Sequence, residues 1–275
     1  MILPEKISTP PVCLTIAGLD PSGGAGIVAD IKTFTAFGCF ASAVVSSVTF
    51  QNTTGVFGAV HQTADSVRRQ TEAVLEDYTV AAMKTGMLPT REIIEEVARI
   101  ISKNDLKNVI VDPVVRSTSG FDLIDDKALD ALIEKLFPLA DLITPNLPEA
   151  ERITHTKIIS ESNISNAAAI MRGQGAKNVL IKGGHFSEKG RNGEAEKNRT
   201  ARDYLFIGEE ILILESEFIE TTATHGTGCT LAAAIAANRA LGHELREALR
   251  IAKEFVTNAI RTAPHLGTGN SPINI

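Results

Sequence analysis

Apolar residues fall along this chain in two alternating rhythms. Short, largely apolar runs, the mark of strands covered on both faces, occur at 12–17, 40–48, 80–83, 109–111, 142–143 and 179–181. Between them apolar positions recur at helical spacing. Ile27, Ile31, Phe34 and Phe37 predict a helix that Gly38 closes, and 66–75 predicts a second. Thr90 is placed to cap a third over 91–102, with Ile93, Ile94, Val97, Ile100 and Ile101 on its apolar side. A fourth is expected at 127–136. Residues 203–207 and 211–214 read as a hairpin around Gly208. Two helices close the chain, at 230–240 and 244–262. The second carries the stripe Leu245, Ala248, Leu249, Ala252, Phe255, Ala259 and Ile260.

Strands alternating with helices at this rhythm predict βαβ units, hence an α/β fold with a mainly parallel sheet between two helical layers. At 275 residues the chain fits one large α/β unit, so a single domain over 1–275 is expected. Ligands of such sheets bind beyond the carboxyl ends of the strands. Polar and glycine-rich residues gather there: Gly18-Leu-Asp20, Lys84-Thr-Gly86, Asp112-Pro113, Asn146 and Lys182-Gly-Gly-His185. Residues 187–202 break the rhythm. They are rich in charge and hold no large apolar residue, so they read as a solvated mobile loop, with a lid as the second reading.

Composition narrows the function classes. A hydrophobic fraction of 44% and a charged fraction of 22% are ordinary for a globular protein. A net charge of -6 speaks against a general nucleic-acid surface. No apolar run approaches the roughly 20 residues that span a bilayer, and the proline-bearing N-terminus does not read as a signal peptide. Cys13, Cys39 and Cys229 are too few and too widely spaced for a disulfide framework or a zinc site. A reducing, cytoplasmic location is the expectation.

Candidate chemistry gathers in a few segments. In His225-Gly-Thr-Gly-Cys-Thr230 two glycines precede an alanine-rich helix. Free N–H groups at a helix start make an anion site, and the same field would bias Cys229 towards thiolate. A plain glycine turn with an inert thiol is the other reading. Asp20-Pro-Ser-Gly-Gly-Ala-Gly26 looks like a phosphate loop but lacks the Gly-Lys-Ser/Thr ending; it is either a packing turn or a substrate wall. Lys182, at a strand end among glycines, could meet a phosphate. Asp112 and Glu149 are hard oxygen ligands suited to Mg²⁺, directly or through water, though a helix cap and simple exposure are their plainer readings.

Seven segments occur in order: Thr15-Ile-Ala-Gly-Leu-Asp-Pro-Ser-Gly-Gly-Ala-Gly26, Gln51-Asn-Thr53, Lys84-Thr-Gly-Met-Leu88, Val111-Asp-Pro-Val114, Ile143-Thr-Pro-Asn-Leu-Pro-Glu149, Ile181-Lys-Gly-Gly-His185 and Thr224-His-Gly-Thr-Gly-Cys-Thr230. Together they closely resemble the hydroxymethylpyrimidine/phosphomethylpyrimidine kinases of thiamine biosynthesis. The resemblance runs from about Val12 to the final helices. It implies a ribokinase-like three-layer fold, usually a homodimer, that uses ATP and Mg²⁺ for two successive phosphorylations of an aminopyrimidine at one site. By match of motif, Cys229 would be the base, Gly226, Thr227 and Gly228 the anion hole, and Lys182 the contact to the transferred phosphate. Gly18, Ala25, Asp30, Gln51, Met87 and Val114 would line or buttress the pyrimidine pocket. Asp112, Asn146 and Glu149 would serve the nucleotide phosphates and metal, with Lys182 and Thr227 also on the nucleotide. The amide of Gln51 suits the ring nitrogen and amine of an aminopyrimidine.

The chain departs from the family pattern at Val115-Arg-Ser-Thr-Ser-Gly120 and in the length of the charged stretch. A pyridoxal kinase on the same scaffold is the nearest rival, and Gln51 speaks against it. A non-catalytic pyrimidine-binding regulatory module is a rival of another class, opposed by the joint presence of Cys229, Lys182, Asp112 and Glu149.

Overall fold

A strand with no polar alternation is stable only between two covered faces, and β1 (Val12–Leu19) lies in that position. The computed structural model describes residues 9–115, 122–183 and 200–275. Beside β1 run β2 (Phe40–Asn52), β3 (Gly55–His61), β4 (Val80–Thr85), β5 (Val109–Val111), β6 (Leu142–Ile143), β7 (Asn178–Lys182), β8 (Thr200–Ile207) and β9 (Glu210–Glu217). They form one sheet in the order β3-β2-β1-β4-β5-β6-β7-β8-β9. The strands from β2 to β7 in that order are parallel, whereas β3 at one edge and β8 and β9 at the other are antiparallel.

Helices cover both faces, as the alternation predicts. Leu14 and Ile16 of β1 face a core shared with α2 (Ala64–Asp77), α3 (Arg91–Lys103), α4 (Asp126–Ala131), α5 (Leu147–Thr154) and α6 (Glu161–Gly173). Cys13, one position before Leu14, faces the opposite core with α1 (Gly26–Ala36), α7 (Thr227–Ala240) and α8 (Leu245–Arg261). Thr90 caps α3 by accepting from the Ile93 N–H, and Asp125 caps α4 in the same way. Gly38, at φ 76°, ends the α1 turn where a side chain would be strained.

Several expectations are corrected. The helix expected over 127–136 is α4 followed by a single π turn, Leu132–Leu136. Ile31 of the α1 stripe points outward and is 38% exposed, because the buried side of that helix is carried by Ile27, Ala29, Asp30, Thr33 and Phe34. The last three residues of the charged stretch, 200–202, belong to β8 and pair with β9; residues 187–199 lie outside the described residues. So do His185 and residues 116–120 of the departing segment.

Beyond α8 the chain returns to the carboxyl edge of the sheet. Gly269 passes so close to the β2–β3 turn that a Cβ there would stand 2.1 Å from the Thr53 carbonyl oxygen. The Asn270 N–H donates to that oxygen at 2.8 Å, and Ser271 O accepts from the His225 N–H at 3.2 Å.

Candidate active site

The carboxyl ends of β1, β4, β5, β6 and β7 open into a cleft of about 440 Å³, and the first turn of α7 points into it. Two glycine segments form its floor and are packed backbone to backbone. Gly226 has φ 86°, and a Cβ there would stand 1.8 Å from Gly24 O; one at Gly26 would stand 2.2 Å from Gly18 O. These approaches require glycine. Met87 closes the neighbouring wall, its sulfur 3.1 Å from where a Cβ of Gly18 would be.

Two lysines stand at this floor, each paired with an internal anion. Lys84 Nζ donates to both oxygens of Asp30, at 2.9 and 3.0 Å, and Thr15 Oγ1 donates to Asp30 Oδ2 at 2.7 Å. Both members of the pair are 0% exposed. Burial opposes the Lys84 ammonium, but Asp30 beside it outweighs burial and holds its pKa above the ordinary lysine value. Lys182 Nζ donates to Asp112 Oδ1 at 2.8 Å, and Thr144 Oγ1 donates to the same oxygen at 3.0 Å. Burial would lift the Asp112 carboxyl, yet Lys182 and Lys84 hold it below the usual range.

Asn146 and Glu149 form a reciprocal cap at the start of α5. The Glu149 N–H donates to Asn146 Oδ1 at 2.9 Å, and the Asn146 N–H donates to Glu149 Oε2 at 2.8 Å. Glu149 Oε1 accepts from the Val115 N–H at 3.3 Å. Burial pushes the Glu149 carboxyl up to about 7; Lys182 partly offsets this and Asp112 adds to it. Simple exposure, the plainer reading of Glu149, is therefore wrong. The helix-cap reading of Asp112 is wrong too, since it pairs with Lys182.

Gly226 enters α7 without a side-chain cap, so the first turn offers backbone N–H groups to the cleft. Gly228 keeps that turn low: a Cβ there would meet Lys182 Nζ at 3.2 Å. Cys229 lies half-buried in the same turn. Burial pushes its thiol up to about 11; Lys84 and an N–H from Gly26 pull it down, while Asp30 and Asp112 push it further up. The expected bias towards thiolate is thus reversed in the open cleft, because desolvation exceeds the local positive field.

Of the sequence-predicted residues, Gly18, Ala25, Gln51, Met87, Val114, Asp112, Asn146, Glu149, Lys182, Gly226, Thr227, Gly228 and Cys229 all line this one cleft. Asp30 does not reach it and lies beneath, behind Lys84. Sequence reasoning quoted Lys84 within a motif but gave it no role. It also passed over two pairs at the cleft: Asp20 with His225 at 2.7 Å, and Asp203 with Lys253 of α8 at 2.5 Å. Only the strand-end position of Asp20 and the glycine neighbours of His225 could have hinted at the first.

The donor set suits Mg²⁺ as a partner of bound phosphates. Asp112 and Glu149 line the same cleft, and Asp112 Oδ2 takes no hydrogen bond among the described residues. No cluster of three or more metal-binding side chains exists among the described residues. Phosphate and water oxygens would complete the shell, which is how Mg²⁺ is usually held in such sites.

The profile of the phosphomethylpyrimidine kinase family matches residues 20–274. A hydroxymethylpyrimidine/phosphomethylpyrimidine kinase of Haemophilus influenzae is 42% identical over 262 residues, which is 95% of each chain. Among solved structures, the phosphomethylpyrimidine kinase of Clostridium difficile 630 superposes with a TM-score of 0.77 at 40% identity, over 91% of this chain and 99% of that one. An ADP complex of Bacillus subtilis pyridoxal kinase superposes with a TM-score of 0.84 at 38% identity, over 96% and 97%.

Proposed function

This chain belongs to the phosphomethylpyrimidine kinase family, and from that premise we propose that it transfers the γ-phosphate of ATP to 4-amino-5-hydroxymethyl-2-methylpyrimidine and then to its monophosphate, for thiamine biosynthesis. The observation that carries the reading is the joint placement of Gln51 and the first turn of α7 in one cleft on a ribokinase-like fold. A pyrimidine held by Gln51 has its hydroxymethyl group directed to the turn that would bind the transferring phosphate.

Phosphoryl transfer depends on positioning and on neutralising spread charge. The N–H groups of Gly226, Thr227 and Gly228 are fixed in advance by the glycine contacts and would meet the equatorial oxygens. Lys182 exchanges its bond to Asp112 for one to the phosphate. Cys229 first gives its own proton to solvent, a step that Lys84 below it favours, and the thiolate then takes the hydroxyl proton late in the transfer. Gly18, Ala25, Met87 and Val114 enclose the ring, and Asp30 buttresses Lys84. Asn146 and Thr227 bind the nucleotide phosphates. Mg²⁺, held through Asp112 and Glu149, would supply charge neutralisation between the phosphates.

We also propose a cytoplasmic homodimer. Phe50, Phe57 and Val60 of the β2–β3 hairpin stand 53%, 68% and 55% exposed at the sheet edge, an apolar surface suited to a second copy. No helix among the described residues is long and apolar enough to cross a membrane.

The test is incubation with Mg-ATP and either the aminopyrimidine alcohol or pyridoxal, followed by mass spectrometry. Mono- and diphosphate of the pyrimidine are expected. Preference for pyridoxal, which the likeness to a pyridoxal kinase makes the second reading, would replace the proposed substrate.

A further inference from the structure

Asp20 and His225 lie 205 positions apart in sequence, yet His225 Nε2 is 2.7 Å from Asp20 Oδ2, and both residues are buried. No step of the transfer uses them. Each is built into one of the two glycine segments. Asp20 Oδ1 accepts from the Ser22 N–H at 2.8 Å, and Oδ2 accepts from Ser22 Oγ and the Ala25 N–H, both at 2.9 Å. His225 precedes Gly226, and its ring leaves no room at Gly24, where a Cβ would come 2.4 Å from Cδ2. The pair joins the loop that carries Ala25 to the turn that carries Cys229.

Gln51 meets the same nitrogen. Its Nε2 is 3.3 Å from His225 Nε2, while its Oε1 accepts from Thr49 Oγ1 at 3.1 Å. One ring nitrogen cannot donate to a carboxylate and accept from an amide at once. Burial opposes ionisation of Asp20, but hydrogen bonds from His225 and Ser22 outweigh it and hold the carboxyl below the usual range. At 2.7 Å from that carboxylate, Nε2 carries the proton. It therefore offers Gln51 no lone pair, so an amide N–H of Gln51, which lines the cleft, is left for an acceptor on the ligand.

We propose that Asp20 and His225 are positioning residues that fasten the substrate loop to the anion turn and reserve the Gln51 amide N–H groups for a ring nitrogen of the substrate. The inference rests on the kinase reading above and adds to it two residues that act through Gln51.

The test compares His225→Asn, whose amide is too short to reach Asp20, with His225→Gln, whose terminal N–H lies near the position of Nε2. Each is made in the wild type and in Gln51→Met. KM and kcat are measured for the pyrimidine alcohol and for Mg-ATP, with calorimetric titration of the alcohol alone. His225→Asn should raise the KM and Kd of the alcohol roughly 5- to 150-fold, the range for an unpaired buried polar group. KM for Mg-ATP should stay within about twofold, and His225→Gln should recover most of the loss. In Gln51→Met the His225→Asn loss should shrink, since coupled residues are not additive. Equal losses for alcohol and Mg-ATP, no recovery by His225→Gln, or independent losses in the two backgrounds would each overturn the proposal. If His225→Asn does not fold, His225→Gln against wild type in both backgrounds decides it: preserved coupling to Gln51 supports the pair, and its absence overturns it. Failure of the wild type to phosphorylate the pyrimidine would sink the functional reading instead, and the same comparison would then be made with the alcohol it does accept.

Discussion

Replacing Asp30 by asparagine keeps the volume of the side chain and removes only its charge, leaving the Lys84 ammonium 0% exposed with no counterion in contact. Breaking one side of a buried ion pair costs about 3–5 kcal/mol. The upper limit has a separate origin, because Lys84 can escape by losing its proton. From an ordinary lysine pKa near 10.4, that costs about 4.6 kcal/mol at pH 7. Unfolding entropy of about 2.1 cal/mol/K per residue, over this chain, amounts to roughly 0.6 kcal/mol/K. Asp30→Asn should therefore lower Tm by about 5–8 °C in thermal denaturation followed by circular dichroism. The pH dependence gives an independent check. In the variant the folded state binds fewer protons at Lys84 than the unfolded state, so stability must rise with pH towards about 10.4. The deficit narrows as the solution becomes alkaline. Adding Lys84→Met removes the stranded charge and should return most of the loss. A drop below about 2 °C, or a double variant no more stable than Asp30→Asn, would refute the reasoning.

Four further outcomes are expected. Cys229→Ala should leave nucleotide binding and Tm intact while turnover falls about 10²–10⁴-fold; near-normal turnover excludes the thiol as base. Because burial lifts the Cys229 thiol to about 11, its alkylation by iodoacetamide should quicken about tenfold per pH unit from 7 to 10, and a plateau near 8.5 would show an unperturbed thiol. Gln51→Met should cost the pyrimidine alcohol roughly 5- to 150-fold in kcat/KM and pyridoxal less, whereas equal losses would remove Gln51 as the discriminating residue. Phe57→Asp should convert a dimer to monomers in sedimentation velocity, and an unchanged species would place the interface elsewhere.

The legible parts of the fold were those where one rhythm dominates. The Val109–Val111 strand and the Ile93–Ile101 stripe of α3 needed no tertiary information. The Gly55–His61 strand went unread because it is an edge strand with two glycines and an outward Phe57, a pattern without alternation. The α6 helix is capped by Ser160 and buries Ile164, Ala167, Ala168 and Met171, but the two alanines at the centre of that face mark it only weakly. In the site, motif order brought nearly every predicted residue to one cleft. Lys84 escaped because a lysine in a strand reads as surface until its partner, 54 positions earlier, is known to lie against it. The thiol of Cys229 was misjudged for a related reason. A helix start is visible in sequence, and the depth of burial that opposes it is not.

From Thr230 to Asn238 every residue of α7 is buried. A helix enclosed on its whole circumference has no position where a substitution is free. Each alanine enlarged to valine would press into a filled interior, at about 1–3 kcal/mol. By contrast α8, which keeps Arg250 and Glu254 in solvent, can drift in sequence. Cys229 sits on the first turn of the enclosed helix, so any repacking along it is transmitted to the sulfur. In recombination between chains of this fold, the segment from His225 to Ala240 will therefore transfer only together with α8, which follows it directly, and with α1 and β4, the elements it packs against most. The smallest exchangeable cassette is three pieces that are far apart in the gene.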